Sequence, residues 1–291
     1  MCTGESEGEV HSRGSVNGRE SLEGCGDFWC GGKGRGRERG AKAIFSNNAQ
    51  SIRRVGLKSR DGARGGPVRH GYGLHLLGVH DVRLIGFTIT AAQKGLVLDH
   101  AHAVTIDRLT VEGIGDEAIH LRSSSTDNLV THVRIEKTGL RNPTFGEGIY
   151  VGSAGRHWVK STADASDRNR FVDNVIRQTT AEAYDIKEGT RSGKIEGGTV
   201  DGSAEIAADS VINLKGNSWT VAHVTVEHGP RFGISTRVRM PGWGAFNLVV
   251  GNRIGLDGSG PAISFEDNAS THNRAEFNVD SVGNALSASG S

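Results

Sequence analysis

The sequence predicts a right-handed parallel β-helix, an all-β solenoid of about eight or more coils with three strands per coil. Three observations lead there. Glycine makes up 43 of 291 residues against 5 prolines, about twice the usual share, which suits a chain that turns often and disfavours long helices. A strand-like phrase recurs along the chain, a small residue followed by apolar, polar and apolar positions. No stretch carries the 3.6-residue period that helices of a barrel or bundle would need.

The recurring phrases begin at Gly73, Gly95, Ala118, Gly148, Ala183, Val211, Gly233 and Ala262. Their steps are 22, 23, 30, 35, 28, 22 and 29 residues, a short coil length with insertions, as in solenoids with variable loops. Side chains alternate across a strand, so one apolar set faces inward in every coil: Leu74, Leu96, Ile119, Ile149, Tyr184, Ile212, Ile234 and Ile263. A second inward row is Leu76, Leu98, Leu121, Val151, Ile186, Leu214, Thr236 and Phe265. Between these phrases lie further alternating runs such as Val82–Ile89 and Val104–Val111, each two short strands joined by a bend.

Residues 1–42 differ from the rest. They mix Gly, Ser, Arg and Glu without period and read as a disordered segment with no assigned fold, leaving residues 43–291 as the β-helix domain. The formal net charge of +1 gives no basic footprint for nucleic acid. No apolar run reaches the length of a membrane span, and the opening MCTGESEGEVHSRG lacks the apolar stretch of a secretion signal. Three cysteines, all before residue 31, make no disulfide framework. A monomer is expected.

With the register set, the outward positions form columns. One contains Lys94, Glu117, Glu147, Glu182 and Ser210; the next His75, Val97, His120, Tyr150, Asp185, Asn213 and Ser235; the third Leu77, Asp99, Arg122, Gly152, Lys187, Lys215 and Arg237. Coils stack at about 4.8 Å, so Glu117, Glu147 and Glu182 form a carboxylate ladder beside a cationic one. Such a ladder is either neutralised by Arg122 and Lys187 or holds a divalent cation, for which oxygen ligands suit Ca²⁺. Lys187 and Lys215 in adjacent coils are expected to lower each other's pKa, which would make either a proton acceptor. Tyr150 and His120 are the acid candidates. Arg122, Glu117 and Glu147 line the same face for substrate. Two long insertions, Arg141–Gly146 and Gly155–Arg170, flank it. Trp158 and Trp243, in loops, are either sugar platforms or loop anchors. His75, His100 and His102 read as solvated.

The phrases DEAIHLRSSSTDN (116–128), FGEGIYVGSAGRHW (145–158), TTAEAYDIKEGT (179–190) and DSVINLKGN (209–217) resemble bacterial parallel β-helix proteins of the pectate-lyase-like superfamily, over residues 73–265. The resemblance implies a polysaccharide lyase acting on an acidic, uronic-acid-containing glycan. It also implies secretion. Glu182, Asp185 and Asn213, with Lys187, Lys215 and Arg237, are similar in order to the Ca²⁺ ligands, lysine and arginine of alginate and chondroitin lyases. A hydrolase using Glu147, Glu182 and Asp185 and a non-catalytic glycan-binding protein are the alternatives. Limited proteolysis is expected to remove residues 1–42 and to leave a strand-rich core starting near residue 43; a far-ultraviolet spectrum dominated by helix would end the β-helix reading.

Overall fold

The computed structural model describes residues 69–290 and two earlier strands, Asp27–Phe28 and Ala41–Phe45. The expected boundary at residue 42 falls inside the second of these. The remainder of the 1–42 segment lies outside the described residues.

From Arg69 onward the chain winds into a right-handed parallel β-helix built from three long sheets. One sheet stacks nine parallel strands from Arg69–Leu77 to Ala288–Gly290 and is called the site sheet below. Every coil contributes one short strand to each sheet, so three strands per coil is what the chain builds. Among the described residues helix is confined to Asn268–Thr271 and three single 3₁₀ turns in loops.

The inward rows fall in the expected register without a slip. Leu74, Leu96, Ile119, Ile149, Tyr184, Ile212, Ile234 and Ile263 pair in sequence across the site sheet. These side chains are buried in one continuous core. Its widest part is aromatic: the Phe171 ring lies against Tyr184 at 5.7 Å and stacks on Trp219 at 6.3 Å.

The bend between the other two sheets is built identically in every coil. Gly86, Arg108, His132, Asp173, Gly197, His223, Gly251 and Phe277 each follow the last strand residue and each have positive φ. That conformation costs a non-glycine residue on the order of 1 kcal/mol. Asparagines one position later repay part of it: the Asn174, Asn252 and Asn278 side chains accept from the backbone N–H of the coil before, at 2.9, 2.9 and 3.0 Å.

Gly193 lies under the Trp219 indole, where a Cβ would sit 2.2 Å from the ring. Trp219 is fully buried, its N–H donating to Thr190 Oγ1 at 3.1 Å. Gly193→Ala is therefore expected to overpack this layer and cost about 1–3 kcal/mol, read as a lower urea midpoint with unchanged m-value.

Candidate functional site

The outward columns are also in register. His120, Tyr150, Asp185, Asn213 and Ser235 pair along the site sheet. Glu117, Glu147 and Glu182 follow one another through backbone bonds from Gly95 to Glu117, Ala118 to Glu147 and Gly148 to Glu182. Lys187, Lys215 and Arg237 do so through bonds to Val151, Ile186 and Leu214. The unexpected feature is burial. Asp185 is 1% exposed, Asn213 3% and Lys215 5%, so this face is no solvated surface. Charge held here must be matched atom by atom.

Asp185 is the centre of that matching. Its Oδ2 accepts from Lys187 Nζ at 2.5 Å and its Oδ1 from Lys215 Nζ at 2.5 Å. Lys215 also lies 3.7 Å from Glu182 Oε1, which accepts from Asn213 Nδ2 at 3.1 Å. The Lys187 ammonium sits 4.7 Å from the centre of the Tyr150 ring. Burial alone would lower the lysine, but the Asp185 charge and its hydrogen bond outweigh it and Lys187 is held above its ordinary value. The expected mutual lowering of two lysines is thus corrected for Lys187: a carboxylate stands between them. Burial opposes ionisation of Asp185 too, yet both ammonium groups hold it below the usual range. Tyr150 is raised, chiefly by burial, and is a neutral phenol.

Glu147, Glu182 and Asp185 bring ligand oxygens within 4.8 Å of one another. Glu147 thus joins the acidic cluster that the sequence assigned to Glu182, Asp185 and Asn213, and Asn213 turns its amide nitrogen, not its oxygen, to Glu182. Asn213 Oδ1, Glu147 Oε2 and Glu117 Oε2 are buried without hydrogen-bond partners. Three orphaned oxygens beside three clustered carboxylates fit a hard, oxygen-seeking cation such as Ca²⁺ and no thiolate or imidazole metal. Burial, then the charges of Asp185, Glu117 and Glu182, push Glu147 well above its ordinary value.

The neutralisation of the ladder also differs from expectation. Lys94, not Arg122, pairs with Glu117, at 2.7 Å. Arg122 instead grips Asp99 at 2.7 and 3.0 Å and reaches the Tyr72 hydroxyl at 3.2 Å. Burial opposes it, but Arg122 and the bonds from His75 and Ser123 hold Asp99 down at about 2. His75 is not merely solvated, since its Nε2 donates to Asp99 at 2.7 Å. Likewise His102 Nδ1 bonds Thr126 Oγ1 at 2.9 Å. His120 is buried, its Nε2–H spent on the Gly152 carbonyl at 3.0 Å. Burial, with Lys94 nearby, lowers it well below its ordinary value. It is a neutral imidazole whose N–H is engaged by a carbonyl, which weighs against the acid role considered for it.

Arg237 pairs with Asp209 at 2.7 Å. Trp158 and Trp243 are half-buried and meet edge to face at 6.1 Å, with the Trp158 N–H donating to the Ser153 carbonyl at 2.9 Å. They hold two loops together beside the site. Glu205 was missed by sequence reasoning, for its insertion loop folds back through Ile206 and Ala207 onto the Thr180 carbonyl. It is buried with both oxygens unpartnered, and burial and Glu182 push it up to about 10. Tyr72 was missed although it pairs with Lys94 and so extends the first outward column.

Glu147 gives a test. Its folded pKa is raised, so ionisation costs stability as pH climbs above the unfolded value of about 4.3. In chelator-treated buffer Glu147→Gln is expected to melt higher than wild type at pH 7, with the gap closing below about pH 4. Ca²⁺ is expected to raise the wild-type melting temperature and to leave that of Glu147→Gln much less affected; no Ca²⁺ response in wild type would remove the cation.

No protein-family model matches the chain, and no curated protein does. Among solved structures, the alginate lyase from Paenibacillus sp. str. FPU-7 superposes with a TM-score of 0.68 at 30% sequence identity, over 76% of this chain and 76% of that one. Coils, register and this likeness agree: the chain belongs to the parallel β-helix, polysaccharide-lyase-like proteins.

Proposed function

We propose that this protein is a polysaccharide lyase that cleaves an acidic, uronic-acid-containing glycan by β-elimination, with alginate the first substrate to try. The observation that carries the reading is the Tyr150–Lys187 pair, a phenol and an ammonium in contact on the site sheet, fixed from beneath by Asp185. The likeness to an alginate lyase supports the choice of polymer. Such polymers lie outside cells, so secretion is part of the proposal.

β-Elimination needs a base for the C5 proton, an acid for the leaving O4 and relief of the neighbouring carboxylate's charge. Lys187 is the base. It acts in its deprotonated form, the resting ammonium first losing a proton to solvent: the free amine takes the C5 proton, the C–H electrons form the C4–C5 double bond, and the C4–O4 bond breaks. Tyr150, a neutral phenol at rest, gives its proton to O4. Lys215 is too buried to reach a sugar and serves to hold Asp185. Arg237, on the same column, faces the carboxylate of the sugar being cleaved. Glu147 and Glu182, with Asn213 Oδ1, would hold a Ca²⁺ ion, whose charge would add to this neutralisation, while both Asp185 oxygens are taken by the lysines. The hydrolase reading is the weaker one, because Glu147 and Asp185 are closed to solvent and Asp185 is bound by both lysines.

The test is the ultraviolet absorbance of the unsaturated product on alginate, polygalacturonate and glucuronan, with and without Ca²⁺. Lys187→Met and Tyr150→Phe are each expected to lower kcat by about 10²–10⁴ with the fold intact. Because Asp185 holds Lys187 above its ordinary value, little of the basic form is present at neutral pH, so kcat/KM should be low there and still be climbing at the alkaline end. Binding without absorbance on every polymer would leave a glycan-binding protein instead. Reducing ends without absorbance would mean hydrolysis.

A further inference from the structure

Beside the Tyr150–Lys187 pair the two loops 152–168 and 237–246 meet. Trp158 packs on Trp243, and the Arg191 guanidinium lies 4.5 Å above the Trp243 ring. Gly155 approaches Met240 so closely that a Cβ there would fall 2.1 Å from Sδ. The neighbours of that contact, Arg156 and Arg239, are therefore brought to one place. Arg156, Lys160, Arg191 and Arg239 are all exposed. Among the described residues none of the four forms an ion pair with a carboxylate.

Carboxylates do lie in this region, but each is occupied in holding backbone or hydroxyl groups. Asp164 accepts from the Ser123 and Ser124 N–H groups at 3.0 and 2.9 Å and from the Ser153 and Ser166 hydroxyls at 2.7 and 2.8 Å. Glu188 accepts from Gly155 N at 2.7 Å, Asp167 from Arg191 N at 2.7 Å, and Glu266 from Val238 N at 2.9 Å. The acidic residues fold the loops, and the basic side chains stay exposed without a carboxylate partner around a pair of indoles, Arg156 donating to His157 at 2.8 Å and Arg191 lying over the Trp243 ring. A surface with cations interleaved with aromatic faces suits a polymer that alternates anionic groups with sugar rings.

We propose that this two-loop rim is a second binding surface for a polyanionic glycan, seated outside the catalytic groove and holding the chain beyond the sugar that is cleaved. The choice of a glycan rests on the lyase reading; the binding itself does not require that the reaction occur.

The experiment uses the full chain and the triple variant Arg156→Ser, Lys160→Ser, Arg239→Ser, titrated with long polymannuronate and with a trisaccharide of the same sugar at several salt concentrations. The triple variant is expected to bind polymer about tenfold more weakly, with a shallower salt dependence and trisaccharide binding unchanged. In turnover the same loss should appear in KM for polymer with kcat unchanged. Arg168→Ser, an exposed arginine paired with Asp127 at 2.7 Å, should behave as wild type. Polymer affinity in the triple variant within twofold of wild type overturns the rim. So does an equal loss of polymer affinity in Arg168→Ser, or binding of duplex DNA as tight as that of the glycan. A rim-dependent loss of polymer binding in a protein that yields no unsaturated product would support this inference while ending the lyase reading.

Discussion

Everything at the site depends on the stacking of the inward rows. Ile119, Ile149, Tyr184 and Ile212 sit on consecutive coils and can be buried only together, since no coil has a core of its own. Their register dictates the register of everything between them. A slip of one residue would turn each apolar side chain outward and drive Tyr150, Asp185 and Asn213 into the core. The apolar ladder thus does two tasks with one constraint: it closes the solenoid and it aligns residues 28 to 35 positions apart in sequence to within a strand spacing.

That alignment creates an electrostatic problem which the chain solves locally. Stacked carboxylates in a nearly closed face repel and lose hydration. Lys94 answers Glu117, and Lys187 and Lys215 answer Asp185. Glu147 and Glu205 are left without a cationic partner among the described residues, and both are driven toward their protonated forms. Both stand in the field of Glu182, so the unmatched charge is concentrated on one stretch of this face. The same region is where the coils lengthen, at the steps of 30 and 35 residues that carry the loops around the groove.

The stacking was legible because the period of two and the repeat of small residues are written in every coil. So were the members of each column, Tyr72 excepted. What they do to one another was not. Column order puts Lys187 beside Lys215, but whether an ammonium meets another ammonium or a carboxylate depends on side-chain direction across one strand, and Asp185 bridges both. His120 shows the same limit. Its place in the column is correct, yet its chemistry is set by burial, only partly offset by the bond to the Gly152 carbonyl, and neither is announced by residue type. The bends were equally silent. The positive-φ position is held by Gly86 in one coil and by Arg108, Asp173 or Phe277 in others, because neighbouring coils, with asparagine bonds at several of them, impose the turn instead of the residue choosing it.

A division of labour between strands and loops follows from this. Groups that must be placed to a fraction of an ångström, Tyr150, Asp185 and Lys187, stand in or directly after strands whose positions the core fixes. The loop residues have a different arrangement. Asp164, Glu188 and Asp167 spend their charge on backbone and hydroxyl groups, which pins the loops without neutralising the arginines and lysine they carry. Were those carboxylates paired with Arg156 or Arg191 instead, the loops would lose their anchors and the surface its charge at the same time. Since both needs are met by separate partners, the loops can change their cations while the strands beneath keep Tyr150, Asp185 and Lys187 in place.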